Sequence, residues 1–260
     1  MRTCLLFIIS ISVLFSCKDQ SSEAQKITSS EEKVANNLPE DLAKVIDAHG
    51  SLELWRSMKS MSYEIVKEEV NEKQWIDLYT RNERIEAKNF KTGYDGKFYW
   101  LEADTTYKGN PKFYHNLMFY FYAMPFVLTD DGIKYSKTED LVFNDQRYPG
   151  IRISYDDGIG ESPEDEYFIH YNPNSYQMEW LGYTVTFYTG EKSQKVKWIR
   201  YNDWTTIEGL LLPQSLTWYK MVDDKITEPR SPRKFTNIQL SKEAPDPKLF
   251  SKTENAVIVD

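Results

Sequence analysis

Three histidines, His49, His115 and His170, are the side chains best suited to move a proton or hold a transition metal near neutral pH. Their spacing supports neither role. No two stand at the HExxH distance of a helix-borne zinc pair, and neither a GxSxG elbow nor a P-loop occurs. His49 precedes Gly50 at what reads as a helix end, His115 lies in an aromatic stretch, and His170 sits in Tyr167-Phe168-Ile169-His170-Tyr171. Each reads as a hydrogen-bonded core or rim histidine. The acidic run from Asp156 to Glu166 offers carboxylates around two glycines, the oxygen-rich chemistry that calcium takes. Asp156, Asp157 and Glu161 are its candidate ligands. The order departs from Asp-x-Asp-x-Asp-Gly, and the glycines with Pro163 make a solvated hairpin loop the expectation. No cofactor and no catalytic residue is expected. A hydrolase would need two carboxylates facing a cleft together with one of the histidines.

Cysteine chemistry is more specific. Arg2 gives a positive start, Leu5 to Phe15 is a compact apolar run, and Ser16 puts a small residue before Cys17. That order is a secretory signal, expected over residues 1–16. The run falls short of the roughly 20 apolar residues that span a bilayer. Leu14-Phe15-Ser16-Cys17 resembles the bacterial lipobox, with Phe15 bulkier than the usual residue. The resemblance implies that Cys17 is lipidated and becomes the first mature residue. Cys4, the one other cysteine, leaves with the signal, so the mature chain has no disulfide or thiol site. Buried acyl methylenes at about 0.8 kcal/mol each make a multi-acyl anchor effectively permanent. Lys18 after Cys17, where an aspartate would resemble an inner-membrane retention mark, favours the outer membrane. The facing leaflet stays open.

Residues 17–37 read as a tether, polar and free of aromatics, reaching roughly 25 Å as a flexible chain. Residues 38–260 read as a single β-rich domain, within the length such domains often reach, about 200–250 residues. The formal charge of −8, with basic residues scattered among acids, argues against nucleic acid and against a basic membrane-docking face.

Within the domain, Pro39-Glu40-Asp41 opens a short helix carrying Leu42, Val45 and Ile46, and Gly50 ends it before a second stripe of Leu52, Trp55 and Met58. Strands are predicted at 61–70, 74–80, 84–88 and 97–101, with Tyr94-Asp95-Gly96 as a hairpin turn. Period-two alternation marks Ile151-Ile153-Tyr155 and Tyr183-Val185-Phe187, and Val196 and Trp198 share a face, as do Leu212, Leu216 and Trp218. Roughly ten antiparallel strands make a sheet that curls. Asn110-Pro111 starts a helix, apolar nearly all round, that Pro125 ends. Such a helix must be buried on most sides. The expected fold is therefore mainly β, a curved antiparallel half-barrel with a short N-terminal helix pair and a central plug helix at 111–124. The alternative place for that helix is a membrane surface.

These elements in this order resemble the LolA/LolB-like group of envelope proteins, on the opening helix with His49-Gly50 and Trp55, the long meander and the plug. The resemblance implies an unclosed half-barrel that carries lipoprotein acyl chains in its hollow. A narrower resemblance is to Bacteroidota-type lipoproteins of unassigned activity. It is carried by Pro111-Lys112-Phe113-Tyr114-His115-Asn116, Ala123-Met124-Pro125-Phe126-Val127-Leu128, Asp156-Asp157-Gly158, Trp180-Leu181-Gly182-Tyr183-Thr184 and Gly209-Leu210-Leu211-Leu212-Pro213. A hollow of this kind would be walled by Trp55, Trp75, Trp100, Phe113, Leu117, Phe121, Trp180, Trp198 and Trp218. The expected function is an envelope lipoprotein that binds or carries lipid or another apolar molecule. The alternatives are a non-catalytic module docking another envelope protein or a glycan, and the hydrolase.

Overall fold

A computed structural model describes residues 38–130, 132–155 and 164–259. The candidate calcium ligands Asp156, Asp157 and Glu161, and the lipidation site Cys17, lie outside the described residues. Residues 39–260 form one compact unit.

Two short helices open it, α1 (Glu40–Ala48) and α2 (Leu52–Ser57). Pro39 precedes the first turn, where Glu40 and Asp41 face the positive end of the helix dipole. Gly50 follows with φ +128, and a Cβ there would strike Leu210 at 2.7 Å. Ser51 caps α2 by accepting the Leu54 N–H at 3.0 Å. Five strands come next, β1 (Ser60–Ile65), β2 (Glu72–Asp77), β3 (Glu83–Glu86), β4 (Phe90–Tyr94) and β5 (Tyr99–Ala103). Two helical turns, α3 (Pro111–Tyr114) and α4 (Leu117–Tyr122), lead through a 3-10 turn, Phe126–Thr129, into the rest. That remainder comprises β6 (Ile133–Lys137), β7 (Leu141–Phe143), β8 (Gln146–Tyr148), β9 (Gly150–Tyr155), β10 (Tyr167–Tyr171), β11 (Met178–Tyr183), β12 (Lys197–Arg200), β13 (Trp204–Ile207), β14 (Leu210–Pro213), β15 (Ser215–Val222), β16 (Lys225–Pro229), β17 (Arg233–Ser241) and β18 (Val257–Val259).

Fourteen strands join one antiparallel sheet in the order β18-β5-β4-β3-β2-β1-β17-β15-β12-β11-β10-β9-β6, with β16 paired to β15. The sheet is curved and does not close into a barrel. Pairs β7–β8 and β13–β14 stand apart from it. The predicted mainly β, unclosed architecture is what forms, with more strands than the ten expected. The 90–94 strand, unmarked by strict alternation, accounts for part of the difference.

Register carries one face across the whole sheet. Tyr63 pairs with Gln74, Gln74 with Ile85, Ile85 with Thr92 and Thr92 with Leu101. In the other direction Ile65 pairs with Phe235, Arg233 with Leu216, Trp218 with Ile199, Ile199 with Leu181, Leu181 with Ile169 and Ile169 with Ile151. These residues line the inner face, since successive side chains point to opposite sides. The plug segment packs on it. Tyr122 lies against Tyr63 and Phe235, with ring centroids 4.8 and 4.5 Å apart, and Phe121 against Tyr183 at 4.8 Å. The Tyr201 hydroxyl donates to the Phe121 carbonyl at 2.6 Å. These contacts place the segment inside the sheet rather than on a membrane surface.

The same parity corrects the expected wall. Trp75, Trp100, Trp180 and Trp198 all fall on the outer face, because Trp75 pairs with Arg84, Gly93 with Trp100, Trp180 with His170 and Gly182 with Trp198. Trp100 and Trp180 are fully buried there under separate covers. The Trp100 indole donates to the Phe250 carbonyl at 2.9 Å, and Trp180 lies under Phe143 at 4.8 Å. Three outer aromatics each spread over a glycine on a neighbouring strand, Trp100 over Gly93, Trp198 over Gly182 and His170 over Gly150. The plug is also not one helix over 111–124. It breaks at His115-Asn116, where Asn116 takes φ 55. The strand expected through Phe187 stops at Tyr183.

Two predictions follow from this packing. A Cβ on Gly93 would sit 2.6 Å from the Trp100 ring and 2.5 Å from the Glu83 carbonyl. Gly93→Ala should therefore lose about 1–3 kcal/mol in urea unfolding, and a loss within about 0.5 kcal/mol would mean that the indole is not locked. Burial pushes His49 and His170 down from 6.5 to about 4. Below pH 6.5 the unfolded chain takes up protons that the folded chain refuses, so stability is lost as pH falls from 6.5 toward 4. The urea midpoint should drop across that window, and more shallowly with His49→Gln and His170→Gln combined. Equal slopes for both proteins would remove these histidines as the cause.

Candidate functional site

Between the inner face and the plug segment lies a hollow of about 850 Å³. That volume is in the range of small-molecule sites. The plug supplies Phe113, His115, Asn116, Leu117, Tyr120 and Phe121, and its far end supplies Val127, Thr129 and Asp130. Strands add Tyr94, Tyr99, Ile133, Tyr155 and Tyr167. Arg56, Tyr79, Arg81, Lys112, Asp165 and Phe187 complete the lining.

The two walls differ in character. Ile133, Tyr155, Tyr167 and Phe121 make one wall aromatic and apolar. Burial holds the Tyr155 and Tyr167 phenols above the ordinary range and raises the Asp165 carboxyl as well. The opposite wall, from β3 to β5, is polar. Glu83, on β3, is 1% exposed. Its Oε2 accepts the Asn116 N–H at 2.8 Å and lies 3.3 Å from His115 Nδ1. The His115 ring meets Tyr94 at 4.9 Å and Tyr99 at 5.3 Å between centroids. The Asn116 amide donates to the Arg81 carbonyl at 3.1 Å and stands 2.8 Å from His115 Nε2. Asn is among the few residues that visit the left-handed region readily, so the sequence breaks the helix here at small cost.

Two further groups tie the plug to the wall. Arg81 grips Asp130 with one nitrogen, at 3.0 and 2.7 Å, while its guanidinium lies 5.0 Å over Phe119 and 5.9 Å over Tyr120. Glu72, 3% exposed, accepts the Tyr114 hydroxyl at 2.5 Å and the Gln74 amide at 2.7 Å. Gln74 in turn accepts from Tyr63 at 2.5 Å.

Of the residues expected to wall a hollow, Phe113, Leu117 and Phe121 do so. Trp55 and Trp218 lie behind them on the inner side. Trp55 stacks on Phe126 at 4.8 Å, and Trp218 meets Phe121 edge-on at 5.8 Å while donating to the Tyr183 hydroxyl at 2.9 Å. The four outer-face tryptophans take no part. The three histidines are held separately. His49 donates to the Val45 carbonyl at 2.7 Å and packs on Trp204, and His170 bonds the Tyr148 carbonyl at 3.1 Å. His115 alone lines the hollow. Among the described residues no cluster of three His, Cys, Asp or Glu side chains is placed to hold a metal. Tyr94, Tyr99, Tyr155, Tyr167 and Glu83 were not singled out from the sequence. Tyr155 was within reach, because it shares its alternation with Ile151 and Ile153. Glu83 was not, because nothing local marks it as inward.

Comparison with known proteins gives little beyond form. The family of unknown function DUF6503 matches residues 103–208, which include the plug and the strands that follow it. No curated protein matches. Solved structures similar to this chain include a LolA superfamily protein from Nitrosomonas europaea, at 9% identity, 78% of this chain, 98% of that one and a TM-score of 0.46. A putative outer membrane lipoprotein-sorting protein domain from Vibrio parahaemolyticus matches at 6% identity, 74% and 92% coverage and a TM-score of 0.37. A DUF1329 family protein from Desulfovibrio piger matches at 9% identity, 75% and 91% coverage and a TM-score of 0.44.

Proposed function

We propose that this chain is a non-catalytic lipoprotein of the bacterial envelope, of the Bacteroidota type, that binds or carries lipid or another apolar molecule in the hollow beside residues 111–130. The observation that carries the reading is the hollow itself, about 850 Å³ with one wall of Ile133, Tyr155, Tyr167 and Phe121. Apolar surface of that kind gains about 25 cal/mol per Å² when a guest removes it from water. Attachment to the outer membrane rests on the lipobox-like Leu14-Phe15-Ser16-Cys17 and on Lys18. Among the described residues no helix is long and apolar enough to cross a membrane.

A docking role for another envelope protein draws on one feature. The edge strand β18 presents Val257 and Ile258, 60% and 51% exposed, beside an unpaired backbone edge. Recovery of a stoichiometric protein partner with no lipid would favour it.

Full-length protein extracted in mild detergent should carry lipid in native mass spectra, and a persistently empty chain would refute the carrier reading. Leu117→Trp, which intrudes into the hollow, should cut bound lipid at least about fivefold while leaving the thermal midpoint nearly unchanged. Wild-type cells should incorporate labelled palmitate into the chain and Cys17→Ser cells should not. Label retained by the Cys17→Ser chain would refute the anchor.

A further inference from the structure

The lining of the hollow runs against the charge of the chain. Formal charge over the whole sequence is −8. Around the hollow three cations, Arg56, Arg81 and Lys112, stand against two carboxylates, Asp130 and Asp165. Both carboxylates are already served. Arg81 grips Asp130, and Asp165 takes hydrogen bonds from Thr184 and Thr186 while burial disfavours its charged form. Glu83 is not part of the lining. Its carboxylate is shut from solvent, with one oxygen on the Asn116 N–H and 3.3 Å from His115 Nδ1.

The unspent groups are donors. Arg81 is taken by Asp130 and the Leu78 carbonyl, and Lys112 is engaged as well. Arg56 is different. It is part-buried, and among the described residues no hydrogen bond or ion pair engages its guanidinium. The helix that carries it, α2, is six residues long, and the Arg56 carbonyl already accepts the Tyr79 hydroxyl at 2.5 Å. The helix end therefore uses little of the charge. The Tyr155 and Tyr167 hydroxyls, which also line the hollow, have no hydrogen-bond partner among the described residues either. None of these three groups is among the atoms shut from solvent, so a guest can reach them. The end that holds Arg56 is built from Tyr79 and Arg81 of the β2–β3 turn and from Asp130 after the 3-10 turn. Tyr155 lies within electrostatic reach of Asp130, so the apolar wall begins beside that end.

We propose that the Arg56 end of the hollow receives an oxyanion, so that the preferred guest is an amphiphile with a carboxylate or phosphate head and an apolar tail. This rests on the carrier reading above and narrows it. The planar guanidinium offers paired N–H donors that match either head. The tail lies along the Ile133, Tyr155, Tyr167 and Phe121 wall.

The test offers full-length protein in dodecyl maltoside four probes with the same tail, hexadecanoate, hexadecyl phosphate, hexadecanol and hexadecyltrimethylammonium. They are supplied at equal mole fraction in the micelle, at a pH where the acid is ionised, and bound guests are counted by native mass spectrometry. At least one oxyanion should exceed the alcohol by about fivefold, the scale of a part-exposed ion pair, and the ammonium should bind least. The stronger of the two oxyanions names the head. Arg56→Gln should bring the oxyanions down to the level of the alcohol while alcohol binding persists, and Arg56→Lys should keep part of the preference. The wild-type preference should also shrink as sodium chloride rises from about 0.05 to about 0.5 M, which serves if Arg56→Gln does not fold. Alcohol equal to both oxyanions, ammonium above them, or an oxyanion preference untouched by Arg56→Gln overturns the head-group assignment and leaves the carrier reading standing. Failure of all four probes to bind overturns the carrier reading itself.

Discussion

A sheet that carries large side chains on both faces must have both faces covered, and most of this structure answers that requirement. The outer face is closed piecemeal. The Pro247–Phe250 turn seals Trp100, while Phe143 of the β7–β8 pair lies over Trp180. These are local seals, each a few residues long, and under one of them the Trp100 indole lies over Gly93. The inner face is longer and concave. It takes a continuous covering segment, with Met118, Phe119, Phe121, Tyr122 and Phe126 all buried. The cover does not fill the whole concavity, and the hollow beside residues 112–130 is the space that it leaves.

Polar groups decide where the cover sits. Burying a carboxylate is expensive unless hydrogen bonds replace its water. Glu72 and Glu83 both point inward from adjacent strands, and the plug brings donors to each, Tyr114 to one and the Asn116 N–H to the other. Apolar packing alone would allow the segment to slide along the wall, since hydrophobic contact has no direction. The two carboxylates and the Arg81–Asp130 pair fix its register at three points.

Period-two alternation made the strands legible where one face is oily and the other polar, as in Ile151 to Tyr155. It failed to say which face looks inward wherever both faces are aromatic. For that reason the sequence alone places Trp75, Trp100, Trp180 and Trp198 on the inner side, where the pairing puts them outside. Their parity becomes visible only through pairing with residues such as Gly93 and His170, distant in sequence or marked by no side chain at all. The plug was legible as a buried segment with Asn110 as its cap, and Asn110 does accept the Phe113 N–H at 3.1 Å. Its break was not, because the reason for it is Glu83, more than thirty residues away. The site suffered most from this. Phe113, Leu117 and Phe121 were readable from helical composition, whereas the polar wall depends on strands whose inward residues are Glu, Gln, Thr and Tyr and carry no apolar signature.

Glu83 holds the backbone at the junction between α3 and α4 with one oxygen, while the other is shut away from solvent. Any guest seated against His115 and Asn116 would therefore press on this joint. By thermodynamic reciprocity, whatever the guest does to the rigidity of the joint, the rigidity of the joint does to the affinity for the guest. The joint at Asn116, one left-handed residue held by one carboxylate, is thus the point through which the hollow and its cover are coupled.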